Sequence, residues 1–532
     1  MKALLLSPIF PISFWHYSGF LEMSGLKALA PPLGLITAAA LLPNDWTLRL
    51  HDRNVSHETE EDWAWCDIVM ISAMRCQQAD YHQLIAKALR MGKKVAVGGP
   101  YVSSIPKASL DSGAHYLVLG EGESTIPQFV EAVGRGDQTG TFRCGEWADL
   151  AKCPVPRFDL LKQEAYHYMA VQTNRGCPYT CEFCEIPLLD GHRTRTKGIQ
   201  QIIAELQAIY ALGYRGTIFF TDDNFIISKK HVKDLLRALA SWNDEHRRPF
   251  DFLTQASVNV AEDAEMLELM ARAGFHAMFL GIETPDVDLL KMTKKQHNVR
   301  RPLIDACRKI NEAGILIHSG MIIGFDGERP GAGDRIQSFV EETAIPQALL
   351  SVLQAVPNTP LWKRLESEGR LLLVADRSKP FLGNDSAGLP NFTPTRPVRE
   401  VAKEFLEATW KLYEPSAYLR RCYRQVRRIR VVHPFRQNVR GPFRVAAHLA
   451  SRLLWRQGIR TKGVRLQFWL QLAGILLTKP QLLMLYLNMC GAGEHFFRFR
   501  EIVRERIVRE VGADVQVSIP RQEAGVLVCE PR

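Results

Sequence analysis

The chain has 532 residues, 46% hydrophobic and 23% charged, and its 67 Lys and Arg against 57 Asp and Glu give a formal net charge of +10. A chain this long buries more than one core, so two or three domains are expected, and its ordinary composition excludes global disorder, a disulfide miniprotein and a fibrous repeat. No run of about 18 apolar residues is available to span a bilayer. Residues 1–12, interrupted by Pro8 and Pro11, read as a buried strand rather than a signal peptide, which makes a cytoplasmic enzyme with reduced thiols the expectation.

From residue 2 to about 133, short apolar runs alternate with helical ones, at 3–6, 33–42, 47–50, 68–72, 81–89, 94–97, 116–119 and 126–133. That rhythm predicts a doubly wound parallel sheet. Its last two strands are followed by Gly98, Gly99 and Pro100 and by Gly120, Glu121, Gly122 and Glu123. These turns put small residues at the carboxyl ends of strands, where such sheets bind ligands and where backbone can approach a large flat cofactor. Residues 134–169 mix Gly, Asp and Pro without a sustained period and read as a linker. Strands expected at 170–173, 217–221, 252–256, 277–281, 315–323 and 350–355, with helical patterns at 200–212, 230–242 and 264–273 between them, predict a parallel barrel or part of one. Beyond Asp376 the pattern turns helical, with Leu, Trp, Phe and Arg. The expected α/β architecture is therefore a Rossmann-like domain over 1–135, a linker over 136–165, a partial TIM-type barrel over 166–375 and a mainly helical, basic domain over 376–532.

The strongest local signal is Cys177, Cys181 and Cys184, spaced CxxxCxxC on the loop after strand 170–173. Thiolates are soft ligands suited to iron-sulfur clusters or zinc. A closed zinc site needs a fourth donor, for which His192 is the only local candidate. Three cysteines on a four-iron cluster instead leave one iron open to a small molecule. The remaining cysteines, Cys66, Cys76, Cys144, Cys153, Cys307, Cys422, Cys490 and Cys529, show no second ligand spacing and read as core or surface thiols.

On these residues the chain resembles the radical S-adenosylmethionine superfamily over roughly 170–373. The resemblance implies a [4Fe-4S] cluster on Cys177, Cys181 and Cys184, S-adenosylmethionine chelated to the open iron, and reductive cleavage to a 5'-deoxyadenosyl radical. It also implies Phe183 beside the adenine, Asp222, Asp223 and Asn224 near the amino group, Gln255 and Ser257 at the end of the next strand, Glu283 on the ribose and Gly324 on the adenine-side strand. Asp222 and Asn224 also suit a helix cap and turn.

The sheet domain before the barrel resembles the cobalamin-binding domain of the cobalamin-dependent subgroup, which makes Gly98, Gly99, Gly120, Glu121 and Gly122 candidate cobalamin contacts. Asp80 and His82 are the nearest approach to the DxHxxG cobalt-ligand loop, but the glycine is missing and the position is helical, so His82 reads as a helix-face residue. The resemblance, which in domain order includes the hopanoid methylases, implies methyl transfer to an unactivated carbon of a small-molecule or lipid substrate, fed by a low-potential electron donor of ferredoxin or flavodoxin type. Radical cyclisation or oxidation without methyl transfer is the alternative within the subgroup; a noncatalytic iron-sulfur or nucleic-acid-binding scaffold is the alternative outside it.

No Asp or Glu occurs between Glu414 and Glu494, whereas thirteen arginines lie between Arg420 and Arg465. Residues 466–477 and 482–487 are apolar on nearly all sides and are separated by Thr478, Lys479 and Pro480. Two readings fit: peripheral contact with an anionic membrane surface, or a helical cap on the barrel with a solvated arginine face. The arginines accompany Leu and Trp rather than a nucleic-acid module, so nucleic acid is not an expected partner.

Overall fold

The computed structural model describes residues 1–372, 388–431, 442–461 and 463–512. Six strands, β1 (Lys2–Ser7), β2 (Thr47–Asp52), β3 (Ile68–Ser72), β4 (Lys94–Gly98), β5 (Tyr116–Leu119) and β6 (Gly140–Arg143), form a parallel sheet in the order β2-β1-β3-β4-β5-β6. Helices α1 (Ser18–Ser24), α2 (Leu33–Ala40), α3 (Gln78–Arg90) and α4 (Gly122–Arg135) lie between or after these strands. Alternate residues of β1 point to opposite faces, so Leu4 and Leu6 join one core with Tyr81 and Leu84 of α3, while Ala3 and Leu5 join another with Leu35 of α2 and Phe129 of α4. This is the doubly wound arrangement expected. One boundary differs: β6 falls inside the segment read as a linker, pairing Tyr116 with Gly140 and Leu119 with Arg143. Its half-exposed residues form an edge strand that needs no apolar run.

The second sheet comprises β7 (Tyr168–Val171), β8 (Gly216–Phe220), β9 (Phe250–Ala256), β10 (Phe275–Glu283), β11 (Leu316–Ile323) and β12 (Gln347–Val352). All neighbours are parallel, and the order follows the chain. The crossovers supply the outer helices α5 (Ile199–Ala211), α6 (Lys229–Glu245), α7 (Ala264–Ala273), α8 (Leu303–Glu312) and α9 (Ala332–Thr343). This is the partial barrel. The strand expected at 350–355 begins three residues earlier, at Gln347.

After α10 (Pro360–Ser367) come α11 (Val398–Leu412), α12 (Pro415–Arg428), α13 (Pro442–Trp455), α14 (Arg465–Thr478) and α15 (Leu483–Val511). The expected boundary at 375–376, and Arg436, Arg440 and Cys529, lie outside the described residues. The helical region shares one continuous core with the barrel: Phe14, Tyr413 and Phe496 pack together, with Phe14 and Phe496 stacked at 4.7 Å. Several arginines read as solvated are structural instead. Arg421 is fully buried, donating to the Ile345 carbonyl at 3.1 Å and to Glu341 at 2.6 Å, and Arg428 donates to the Glu342 carbonyl at 2.9 Å. Among the described residues no helix is long and apolar enough to cross a membrane.

Candidate active site

The loop bearing the cysteines leaves β7 through Thr173–Arg175 and is held from several sides. Gly176 sits at φ +90°, and a Cβ there would lie 2.5 Å from the Arg193 carbonyl oxygen, so the turn requires glycine. The Cys177 amide donates to the Gly191 carbonyl at 3.1 Å and the Glu182 amide to Thr293 at 3.3 Å. Arg364 of α10 grips the Glu182 carboxylate at 2.5 Å and Asp326 at 2.9 Å. Burial raises all three thiol pKa values, that of Cys184 to about 12, and the thiols lie near enough to perturb one another. Such soft donors become thiolates when a multiply charged metal centre compensates them. His192 is exposed rather than turned inward as a fourth zinc donor. The triplet therefore fits a cluster better than an isolated tetrahedral ion.

The predicted polar residues divide into those that support this loop and those that do not. Asp222 is fully buried, and its Oδ1 accepts from the Thr173 amide at 2.8 Å, the Thr173 hydroxyl at 3.0 Å and the Asn174 amide at 2.5 Å. Through Oδ1 it staples the start of the cysteine loop; burial raises its pKa to about 6 despite those bonds. Asn224 and Ser257 are likewise turned toward each other, at 2.9 and 3.2 Å. Ser257 donates to Asn259 at 2.5 Å, and Asn259 donates to the Tyr179 hydroxyl at 3.2 Å. Tyr179 lies between Cys177 and Cys181, and its ring stacks on His297 at 3.8 Å. Gly324, at φ +95°, sits beneath Val401 of α11, with its amide bonded to Glu328 at 2.8 Å, so helix packing accounts for it.

Asp223 is the less buried member of its pair. Burial, then the charges of Asp190 and Asp222, push its pKa up to about 8, and its charge is felt at Cys177. Glu283, at φ +66°, pairs with Lys295 in a buried contact. Lys295 in turn lies 5.9 Å from the centre of the Phe183 ring and within electrostatic reach of all three cysteines. Burial works against the Lys295 ammonium, but Glu283 and Cys181 hold its pKa above the usual value.

Phe183 and Gln255 line a cavity of about 1060 Å³ that runs between the carboxyl ends of both sheets, together with Gly98, Gly99, Gly120, Glu121 and Gly122. Its volume is at the upper limit of ordinary ligand pockets, about 1,000 Å³. One lobe enters the first domain past Gly34, Ala38, Met70, Ala96 and Val118. A Cβ on Gly34 would meet nothing within 4 Å, so space there is open to a bulky group. The glycine turns also serve the fold: Gly99 adopts φ +91°, and a Cβ would approach the Ser72 hydroxyl to 2.7 Å and the Ala73 carbonyl oxygen to 3.1 Å. Gly99→Ala is expected to destabilise the first domain by about 1–3 kcal/mol and to lower cobalamin retention, read as a shifted urea midpoint and reduced cobalamin absorbance after gel filtration.

The carboxylate of Glu121 is already engaged. It accepts from Arg175 at 3.1 Å, Arg195 at 2.7 Å and the Ala148 amide at 2.6 Å, while Arg175 also clamps Glu123 at 2.8 Å. Any cofactor contact at Glu121 thus falls to its backbone. This cluster ties the glycine loop of the first domain to the cysteine loop of the second, and Arg75 to Glu185 at 2.8 Å is a second such tie. His82 bonds Ser112 at 2.7 Å and Tyr101 at 3.0 Å from its helix, as a helix-face residue would.

The other lobe is the barrel interior. β9 alternates strictly, with Phe250, Phe252, Thr254 and Ala256 buried and Asp251, Leu253 and Gln255 partly open. The cavity is lined by Tyr168, Phe219, Leu253, Phe279 and Leu349, with His318 and Gln347 deeper and Tyr17 donating to Gln347 at 2.6 Å. A closed TIM barrel fills this space with packed side-chain layers; here it is hollow.

Lys295, Asn259, Tyr179, Arg175 and Arg195 escaped the sequence reading. Tyr179 could have been found by its place inside the triplet; Lys295 sits in a basic run that resembles solvated surface.

Family profiles match the chain as a B12 binding domain over residues 25–130, the Radical SAM superfamily over 171–334 and a domain of unknown function (DUF4070) over 359–509. An uncharacterized methyltransferase of Synechocystis sp. is 46% identical over 98% of this chain and 96% of its own length. The hopanoid C-2 methylase of Rhodopseudomonas palustris is 34% identical over 84% of each chain. The cobalamin-dependent S-adenosylmethionine radical enzyme OxsB shares the fold with a TM-score of 0.61 at 16% identity, over 96% of this chain and 80% of that one. With the paired domains and near full-length similarity to named methyltransferases, the chain belongs to the cobalamin-dependent radical S-adenosylmethionine methyltransferases, enzymes that use a [4Fe-4S] cluster, S-adenosylmethionine and cobalamin to methylate carbon.

Proposed function

We propose that the substrate is a bulky, largely apolar molecule of the polycyclic-lipid class, methylated at an unactivated carbon. The hollow barrel carries this reading: its inward wall of Tyr168, Phe219, Leu253, Phe279 and Leu349 opens to the cavity that also meets the glycine turns. Exposed Phe10 and Trp15 stand at the cavity rim, and the 34% identical relative is named a hopanoid methylase. When bound, the cluster, S-adenosylmethionine and cobalamin supply hydrogen abstraction and methyl delivery; the protein supplies binding, orientation and exclusion of water.

In this reading Cys177, Cys181 and Cys184 hold the cluster. Asp222, Asn224, Ser257 and Tyr179 fix the loop that carries them. Asp223, Glu283, Lys295, Phe183 and Gln255 bound the space for S-adenosylmethionine, with Lys295 offering a cation to its carboxylate and Asp223 an acceptor to its amino group. Gly98, Gly99, Gly120 and Gly122 bring backbone against cobalamin. A low-potential ferredoxin or flavodoxin supplies the electron, and a lipid substrate is drawn from a membrane surface.

Anaerobically reconstituted protein, given a reductant and a polycyclic triterpenoid, is expected to form 5'-deoxyadenosine, S-adenosylhomocysteine and a product heavier by one methylene, measured by mass spectrometry. 5'-Deoxyadenosine without S-adenosylhomocysteine or methylated product would favour radical cyclisation or oxidation. Methylation of a polar, water-soluble substrate in place of the triterpenoid would overturn the lipid assignment.

A further inference from the structure

α14 is apolar on two opposite faces, and among the described residues only one packs against neighbouring helices. Phe468, Leu472 and Ile475 are buried where the helix meets α12 and α15. Leu466, Trp469, Leu470, Leu476 and Leu477 are 72%, 43%, 64%, 48% and 85% exposed. With Ala473, these outward residues recur at steps of three and four, so at about 100° per residue they form one stripe roughly 120° wide. Trp455 and Ile459, also more than half exposed, continue the surface, since the Trp469 indole donates to the Gly458 carbonyl at 2.9 Å. Single exposed leucines are ordinary, but a contiguous patch marks an interaction site.

The charges around it select the partner. Arg460 and Arg465 are exposed at the start of the stripe. Gly474 packs against Tyr423 of α12, over whose ring Arg427 lies at 5.8 Å, and Arg427 and Arg430 are exposed there. No acidic residue occurs from 415 to 493. A second copy docked by a two-fold axis would set this basic patch against itself. An anionic bilayer accepts both components, with leucines in the acyl boundary, tryptophan at the interface and arginines among the phosphates.

We propose that the outward face of α14 is the surface by which this protein lies on an anionic membrane, Leu466, Trp469, Leu470, Leu476 and Leu477 entering the headgroup boundary and Arg460 and Arg465 engaging lipid phosphate. It deepens the lipid-substrate reading and rests on it for its purpose, although the geometry stands independently. The full chain is tested by co-sedimentation with vesicles of phosphatidylcholine alone and of equimolar phosphatidylcholine and phosphatidylglycerol. Strong binding to the anionic vesicles is expected. The triple substitution Leu466→Ser, Leu470→Ser and Leu477→Ser should lower partitioning roughly 100-fold or more. Arg460→Gln with Arg465→Gln should lower it roughly 10- to 30-fold on anionic vesicles alone. Far-UV circular dichroism and cobalamin absorbance check that both variants remain folded.

Three results would overturn the proposal: the full chain staying in the supernatant with both vesicle types, the leucine variant binding undiminished, or that variant turning a dimer into a monomer by sedimentation equilibrium. Vesicle binding without any methylated lipid would sink the substrate reading and leave this surface standing. Methylation of a detergent-dispersed lipid without vesicle binding would do the reverse.

Discussion

Alanine at Cys177, Cys181 or Cys184 is expected to abolish cluster assembly and to reduce both 5'-deoxyadenosine and methylated product roughly a thousand-fold or more, to the assay floor, because no side chain substitutes for the cofactor's chemistry. Iron content and the visible absorbance of the reconstituted protein report the first loss, and mass spectrometry the second. The first domain folds around its own two cores, so cobalamin binding should survive. Retention of full iron and activity by any of the three variants would refute the assignment of that thiol. The loop itself should persist, since Asp222, Gly191 and Thr293 hold it through backbone groups.

Arg175→Met is expected to cost about 3–5 kcal/mol, the range for breaking a buried ion pair from one side. Arg175, Glu121 and Glu123 have side chains only 12%, 3% and 6% exposed, so the variant leaves two carboxylates enclosed between the domains with Arg195 as the remaining cation. Urea unfolding measures the loss, and limited proteolysis between the domains reports undocking. The pH dependence gives a sharper test. Burial raises the Glu123 pKa, but the hydrogen bonds and charge of Arg175 outweigh it and hold it at about 2, below the ordinary carboxyl value of 4.5. A carboxyl so depressed contributes stability that is complete above its unfolded pKa and lost as pH falls toward its folded one. The native protein should therefore weaken between about pH 4.5 and pH 2. In Arg175→Met the same carboxyl, buried without its main partner, titrates higher in the folded state, so mild acidification should recover stability. A variant whose acid profile parallels that of the native protein would exclude Arg175 as the cause of the depression.

The cysteine triplet was legible because its chemistry confines three donors to one short loop, and the strand-helix rhythm was legible because both sheets are buried on at least one face. Direction was harder to read. Thr221, Asp222 and Asp223 are consecutive polar residues at a strand end, yet Thr221 lines the cavity while Asp222 turns into the protein to bind the Thr173 and Asn174 amides. A cluster of carboxylates looks the same in sequence whichever way each one points. Long-range pairing was hidden for a different reason: Arg175 and Glu121 stand 54 residues apart, and neither domain's pattern announces the other's charge. The edge strand Gly140–Arg143 has too few apolar residues to stand out from a linker.

The alternation along β9 divides responsibility within each strand of the barrel. Phe252 and its buried neighbours answer to the outer helices and cannot vary without loss of packing, whereas Leu253, Phe219 and Phe279 are only partly buried and line the cavity, Phe279 against Trp15 and Phe219 near Tyr168. Substitutions on the inner register thus escape most of the penalty that core changes incur. A lineage built on this scaffold can reshape its guest chamber one strand at a time, keeping the thiol loop and the domain clamp untouched, and so acquire new substrates without first having to be stabilised.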